Sequence, residues 1–249
     1  MDSKNALMIF TKNPVLGKVK TRLAAGIGEQ AALKVYMQLL KHTREITMDI
    51  DFSDKMIFYD DFIPAKDNWK EDIYDKYLQG EGDLAKKMEN AFSNAFDEGY
   101  DKVMIMSPDC PELTTLKLKQ AFTLLNKHDF VLGPLRDGGY YLLGMKEHTP
   151  EVLRDIEFSE SSVFEETLKR IESMGKTVKI LPELYDVDEE ADLDNKLRKA
   201  VGLEETTASV SDADIEEYKP DPVDEEEFEE EEEIEVEAKD DAAEDDDED

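Results

Sequence analysis

Ala6-Leu7-Met8-Ile9-Phe10 runs straight into Thr11-Lys12-Asn13-Pro14-Val15-Leu16-Gly17-Lys18-Val19-Lys20-Thr21-Arg22-Leu23. A short continuous apolar run that stops at a polar loop reads as a strand buried on both faces, the signature of a parallel sheet. Strand one ends near Thr11, and a loop with Gly17 and Gly26 follows. Beyond it, Ala32, Val35, Tyr36, Leu39, Leu40 and Thr43 recur at helical spacing over residues 29–46, which predicts a long amphipathic helix.

The same alternation continues along the chain. Lys55 to Tyr59 reads as strand two, and residues 83–96 as a helix with Asp83 at its N-cap and Gly99 beyond its end. Val103 to Met106 is a strand, Thr114 to Leu125 a helix, and Phe130 to Leu132 a strand closed by Gly133-Pro134. Ser162 with Glu165 suggests a capping box for a helix reaching Met174, and Thr177 to Leu181 is a last strand. Strand and helix in turn imply an α/β fold in three layers, a mostly parallel sheet with helices on both faces. There is no internal repeat.

Charge divides the chain. Of 249 residues with net charge −33, residues 204–249 hold 26 of the 63 acids and only Lys219 and Lys239 as bases, a net −24; residues 1–203 carry −9. The expected organisation is therefore a folded domain over 1–203 and an acidic low-complexity tail over 204–249. The few scattered apolar residues of the tail cannot offset the entropy of ordering it, so disorder is expected. It reads as a solubility device, a docking segment for a basic partner, or a spacer. Binding of nucleic acid by surface charge is disfavoured, because phosphate neutralisation needs a basic stripe. Cys110 is the only cysteine, so a disulfide scaffold is excluded. With no apolar run near the roughly 20 residues of a membrane span, and no basic leader at Met1 to Asn5, a soluble cytoplasmic protein without a membrane partner is expected.

Ligands of such sheets bind beyond the carboxyl ends of the strands, so four loops carry the chemistry. The first packs Lys12, Lys18, Lys20 and Arg22 into a short segment of an acidic chain, for which polyphosphate is the natural counter-ion. Gly17 permits close backbone approach, and Lys12, Lys20 and Arg22 can clamp phosphate oxygens. No Gly-Lys-Ser/Thr follows, so this is not a Walker loop; a solvated basic loop is the plain alternative. The second loop, Ser107-Pro108-Asp109-Cys110-Pro111, offers Asp109 to Mg or Mn, or simply as a turn-forming or capping residue. Cys110 has no histidine nearby in sequence and reads as inert. The third, Gly133 to Gly144, contains Asp137-Gly138-Gly139. It either lets a ligand lie on the backbone, with Asp137 on a sugar hydroxyl or a second metal, or is a structural hairpin turn. In the fourth, Tyr185 to Leu193, Asp188 completes a metal site or only caps a helix.

In this order the four elements resemble the glycosyltransferase-A-like family called radical-SAM/selenodomain-associated transferase 1, with its Lys-x-Pro-x-x-Gly-x-Val-Lys-Thr-Arg-Leu, Gly-Asp-Leu, Asp-Cys-Pro, Gly-Pro-x-x-Asp-Gly-Gly-Tyr-Tyr-Leu and Asp-Val-Asp motifs. The likeness covers about residues 6–200, and the first element matches at Lys12, Pro14, Gly17, Val19, Lys20, Thr21, Arg22 and Leu23. That family looks like a relative of nucleotidyltransferases such as 2-phospho-lactate guanylyltransferase. The resemblance implies a nucleotide-diphospho-sugar transferase fold with a nucleotide at the carboxyl edge of the sheet. It further implies phosphates on Lys12, Lys20 and Arg22, with Gly17, Gly138 and Gly139 near the nucleotide. Mg or Mn would sit on Asp109 with Asp188, and Asp109 and Lys20 would carry catalysis. Three departures stand out: Ser107-Pro108 before Asp109, Ala85-Lys86-Lys87 within the Gly-Asp-Leu element, and Phe158-Ser159-Glu160 where the family has Trp-Ser-Thr. The last falls on the acceptor side, where Asp137 and Ser159 are the candidate contacts. The expected function is a metal-dependent transferase moving a nucleotidyl group from a nucleoside triphosphate, or a glycosyl group from a sugar nucleotide, to a small-molecule acceptor. The alternative is an inactive nucleotide-binding or scaffolding protein that works through its tail.

Overall fold

Strand one is apolar throughout because the chain has layers to put on both of its sides. In the computed structural model, which describes residues 3–154, 156–158 and 161–203, every residue of β1 (Asn5–Thr11) is buried. It is the third strand of a seven-stranded sheet, beside the central β4, with β2 (Asp54–Tyr59), β3 (Tyr74–Leu78), β4 (Lys102–Met106), β5 (Phe130–Pro134), β6 (Tyr140–Met145) and β7 (Val178–Ile180), in the order β3-β2-β1-β4-β6-β5-β7. All neighbours pair in parallel except at β6, which runs antiparallel to both β4 and β5. The mostly parallel three-layer sheet expected from the alternation is present.

Alternate side chains feed opposite cores, as the two-residue period of a strand requires. Leu7, Ile9, Ile57, Met104 and Met106 pack with α2 (Glu29–Met48) and α4 (Thr115–Lys127) through Tyr36, Leu40, Leu118 and Phe122. Met8, Phe10, Met56, Phe58 and Ile105 pack on the other face with α3 (Leu84–Asp97) and α5 (Val163–Ser173) through Met88, Phe92 and Ile171. A third cluster joins α1 (Thr21–Ile27), the back of α2 and α6 (Asn195–Val201) through Leu23, Val35, Leu39, Leu197 and Val201. The predicted cap at Asp83 is in place, its side chain accepting from the Lys86 amide; Thr114, expected as the first helical residue, is instead the N-cap of α4 and accepts from the Lys117 amide.

Several expectations need correction. The cationic segment does not stay loop: residues 21–27 form α1, with Gly26 inside it. β3 has no counterpart among the expected strands, because it is an edge strand whose residues are mostly half-buried or exposed and so form no apolar run. Ser162 does not build a capping box with Glu165; its hydroxyl donates to Glu166 Oε1 at 2.6 Å. The stretch from Tyr185, whose sequence suggests a strand end running into a helix, is not a regular strand; only the Leu135–Leu184 bridge pairs there. The acidic tail expected over 204–249 lies outside the described residues. No helix among the described residues is long and apolar enough to cross a membrane.

Candidate functional site

β1 and β4 lie side by side, and the loops leaving their carboxyl ends open a cleft of about 650 Å³. Its charged lining comes from Lys12, Lys20, Arg22, Asp60, Asp109 and Asp188, with Lys87 at the α3 side among Phe10, Leu84, Met88 and Phe158. Residues far apart in sequence meet there because the sheet places the ends of its central strands together.

The centre of the cleft is an ion-pair chain. Lys20 Nζ lies 2.8 Å from Asp188 Oδ1 and 3.1 Å from Asp109 Oδ2, and Arg22 pairs with Asp188 through the other carboxylate oxygen. The Lys20 side chain is only 5% exposed. Burial alone would favour its neutral form, but Asp109 and Asp188 outweigh it and raise the ammonium above its ordinary range. Asp188 is held in the opposite direction: burial would raise it, and Lys20 with Arg22 brings it below the usual carboxylate range. Lys20 adopts φ 48°, ψ 48° as the residue before α1, the one non-glycine residue with positive φ among those described. Such a conformation costs about 1–2 kcal/mol, and it aims the side chain at both carboxylates while Val19 and Leu23 anchor the segment in the core.

Asp109 sits in the turn expected of it. Its amide donates to Ser107 Oγ at 3.2 Å, and its carbonyl accepts from the Val187 amide at 3.2 Å, tying the second loop to the fourth. Its Oδ1 is buried with no hydrogen-bond partner. Cys110 beside it is buried, which pushes its thiol up to about 12 and agrees with an inert residue. Asp188 does not cap a helix. Glu189 and Asp192 close the following turn as a capping box, and Asp194 caps α6.

The first loop is held by residues that composition did not single out. Tyr36, buried on α2, brings its hydroxyl to 2.9 Å from both the Lys12 amide and Thr11 Oγ1, and donates to the Lys12 carbonyl at 3.1 Å. Asn13 locks this loop to the one after β2, donating from its backbone to Asp60 Oδ1 at 2.6 Å and accepting from the Asp61 and Phe62 amides. Gln79 donates to the Thr11 and Phe58 carbonyls. Tyr36 reads in sequence as one more apolar position of a helix stripe, so its polar end had no local signal.

The remaining candidates are placed elsewhere. Gly17, at φ +76°, would bring a Cβ to 3.2 Å from the Glu29 carboxylate and does not line the cleft. Gly138 lies in the turn of the β5–β6 hairpin, donating to the Leu135 carbonyl; the space a Cβ would take is filled by the Ser161 carbonyl, not left open for a ligand. Gly139 donates to Asp137 Oδ1 in that turn. Asp137 instead faces a second, acidic cleft, where its carboxylate oxygens come within 4.8 Å of those of Asp186 and Asp188. Burial, then Asp188 and Asp137, push Asp186 up to about 6. Ser159 lies outside the described residues.

The sheet order, the single antiparallel strand and the cleft at the end of β1 and β4 define the nucleotide-diphospho-sugar transferase fold. The comparisons agree. A protein of Desulfovibrio desulfuricans G20 described as a nucleotide-diphospho-sugar transferase superposes with a TM-score of 0.67 at 28% identity, covering 79% of this chain and 91% of that one. Residues 45–160 match the family described as "uncharacterized protein conserved in bacteria (DUF2064)". The 2-phospho-L-lactate guanylyltransferase of Methanocaldococcus vulcanius is 24% identical over 143 residues, 56% of this chain and 61% of its own. The chain thus spans about three fifths of the length of that curated relative. These findings bear out the family resemblance read from the motifs.

Proposed function

We propose that the protein is a divalent-metal-dependent nucleotidyltransferase acting from a nucleoside triphosphate onto a small-molecule acceptor. The observation that carries this reading is the convergence of Lys20, Arg22, Asp109 and Asp188 at the open end of β1 and β4, with Lys12 on the same wall. The similarity to a guanylyltransferase favours nucleotidyl over glycosyl transfer.

The residues fit a hard cation. Asp109 presents a buried oxygen without a partner, and both Asp109 and Asp188 already converge on one cationic group, the Lys20 ammonium. Carboxylate oxygens are the donors that Mg or Mn prefers, so Asp109 and Asp188 would hold the metal. When bound, it would neutralise charge on the diphosphate leaving group. Lys12, Lys20 and Arg22 bind the polyphosphate: Lys20 as a point charge, Arg22 as a planar fork. The acceptor oxygen attacks the α-phosphorus, the bond from that phosphorus to the bridging oxygen of the diphosphate breaks, and pyrophosphate leaves. The protein supplies position and charge and no covalent nucleophile.

The test is a thermal-shift screen of nucleoside triphosphates and sugar nucleotides with and without Mg or Mn, followed by pyrophosphate release over an acceptor panel. Metal-dependent stabilisation by a triphosphate is expected, lost in Asp109→Ala. Stabilisation by sugar nucleotides alone, or triphosphate binding untouched in D109A, would overturn the reading.

A further inference from the structure

The Lys20 ammonium stands where two carboxylates would otherwise face each other, 3.1 Å from Asp109 and 2.8 Å from Asp188, in a nearly inaccessible position. Its backbone is fixed in a conformation no other described non-glycine residue adopts, so the side chain has not drifted there by surface freedom. Arg22 occupies the second oxygen of Asp188, while Asp109 Oδ1, buried, has no partner. The pair is therefore already neutralised by the protein, except at one oxygen that still lacks a donor or a cation.

Resting on the function proposed above, we propose that Lys20 is an internal cation that keeps Asp109 and Asp188 from taking a free divalent metal and releases them when a triphosphate arrives. The logic is electrostatic. Removing one partner of a buried ion pair leaves an uncompensated charge, so the ammonium leaves the carboxylates only for another anion, and the polyphosphate is that anion. A metal entering alone must displace the ammonium or share the carboxylates with it at short range, where like charges repel strongly. Arriving together, nucleotide and metal exchange partners with Lys20 so that every charge stays matched. Binding of the two ligands is then positively coupled, and the coupling is reciprocal. The device guards the site against occupation by metal without substrate.

The experiment measures Mn²⁺ binding to the full chain by the loss of the free-ion electron paramagnetic resonance signal, with and without an α,β-methylene guanosine triphosphate analogue. Without nucleotide, Lys20→Met is expected to bind one Mn²⁺ about tenfold or more tightly than the parent, because the competing charge is gone. Adding Asp109→Asn to K20M removes that gain, which separates this site from weak binding by the acidic residues 204–249. Lys20→Arg keeps a cation between the carboxylates and stays near the parent. If K20M melts too low for the assay, Lys20→Gln, which retains one hydrogen bond, is expected to show the same gain. Nucleotide-free affinity equal in parent, K20M and K20Q overturns the proposal. Failure of the parent to bind any of the corresponding analogues of the four nucleoside triphosphates with Mn²⁺ counts against the function proposed above, while the nucleotide-free comparison still decides the role of Lys20.

Discussion

Tyr36→Phe removes one oxygen and leaves the ring packed, which isolates what the hydroxyl does for the first loop. That oxygen serves the Lys12 amide and carbonyl and Thr11 Oγ1, all close to 3 Å. Two of the three partners have substitutes: Thr11 Oγ1 also donates to the Lys12 carbonyl at 3.2 Å and so satisfies both itself and that acceptor. The Lys12 amide does not; its bond to Tyr36 is only part-buried, so leaving it without a partner costs toward the low end of the about 1–3 kcal/mol of an orphaned donor. We therefore expect Y36F to lose about 1 kcal/mol, most of it from that amide. With a slope near 2 kcal/mol per molar in urea, the unfolding midpoint falls by about 0.5 M at unchanged slope. Because the loosened peptide carries Lys12, triphosphate affinity should fall as well, whereas affinity for the nucleoside should not. A midpoint within about 0.1 M of the parent, measured by fluorescence and circular dichroism together, would refute the reasoning.

Gly138→Ala should destabilise by at least about 2 kcal/mol, since φ is +89° and the new Cβ would lie 1.9 Å from the Ser161 carbonyl, whereas Gly99→Ala, at φ +82° with open space, should cost about 1 kcal/mol; equal losses in thermal denaturation would show that the Ser161 segment yields. Asp129 accepts from the Thr177 amide and hydroxyl, which lowers its pKa below the usual carboxylate range. A depressed folded pKa gives stability that is present above the unfolded value near 4 and vanishes as pH falls through the folded one. Parent and Asp129→Asn should thus differ by on the order of 1 kcal/mol at neutral pH, after allowing for partial exposure, and converge in acid; a pH-independent gap would count against this account. Truncation after Leu203 retains α6 and its packing on Leu23 and Val35, so the melting temperature should stay within error and triphosphate affinity should improve only below physiological salt, where the Debye length exceeds about 8 Å. Loss of folding on truncation would show that residues 204–249 complete the domain.

The sheet was legible because β1, β2, β4 and β5 are buried on both faces and so read as unbroken apolar runs, and α2, α3 and α4 because each buries one stripe. β3 was not, since an edge strand needs only one apolar contact face. In the candidate site, residue types at strand ends single out Lys20, Arg22, Asp109 and Asp188, which the structure brings together, but not their mutual pairing. That pairing depends on loops separated by 166 and 168 positions, and local pattern carries no information about such a distance. The Gly138-Gly139 alternative shows the same limit in reverse: Asp-Gly serves a hairpin or a ligand equally well in sequence, and only the Ser161 carbonyl lying against Gly138 tells which space is taken.

An acidic protein can hold a polyanion when it confines its cations to one place. Residues 1–203 carry a net −9, yet the cleft sets Lys12, Lys20, Arg22 and Lys87 against Asp60, Asp109 and Asp188, close to neutrality. Neutrality is not attraction. A triphosphate entering alone would meet cations that carboxylates already engage: Lys20 with Asp109 and Asp188, and Arg22 with Asp188. Each phosphate contact made by Lys20 or Arg22 would have to be taken from an existing ion pair, leaving a carboxylate uncompensated in a half-buried position. In the function proposed above, a divalent ion arriving with the nucleotide would cancel that debt, because it would give the carboxylates a new partner as the lysine and arginine turned to phosphate. On this reasoning the metal dependence proposed above would follow from the charge balance of the cleft as much as from the chemistry of phosphoryl transfer. Changing Asp188 to Asn should accordingly relax the metal dependence of triphosphate binding while impairing turnover.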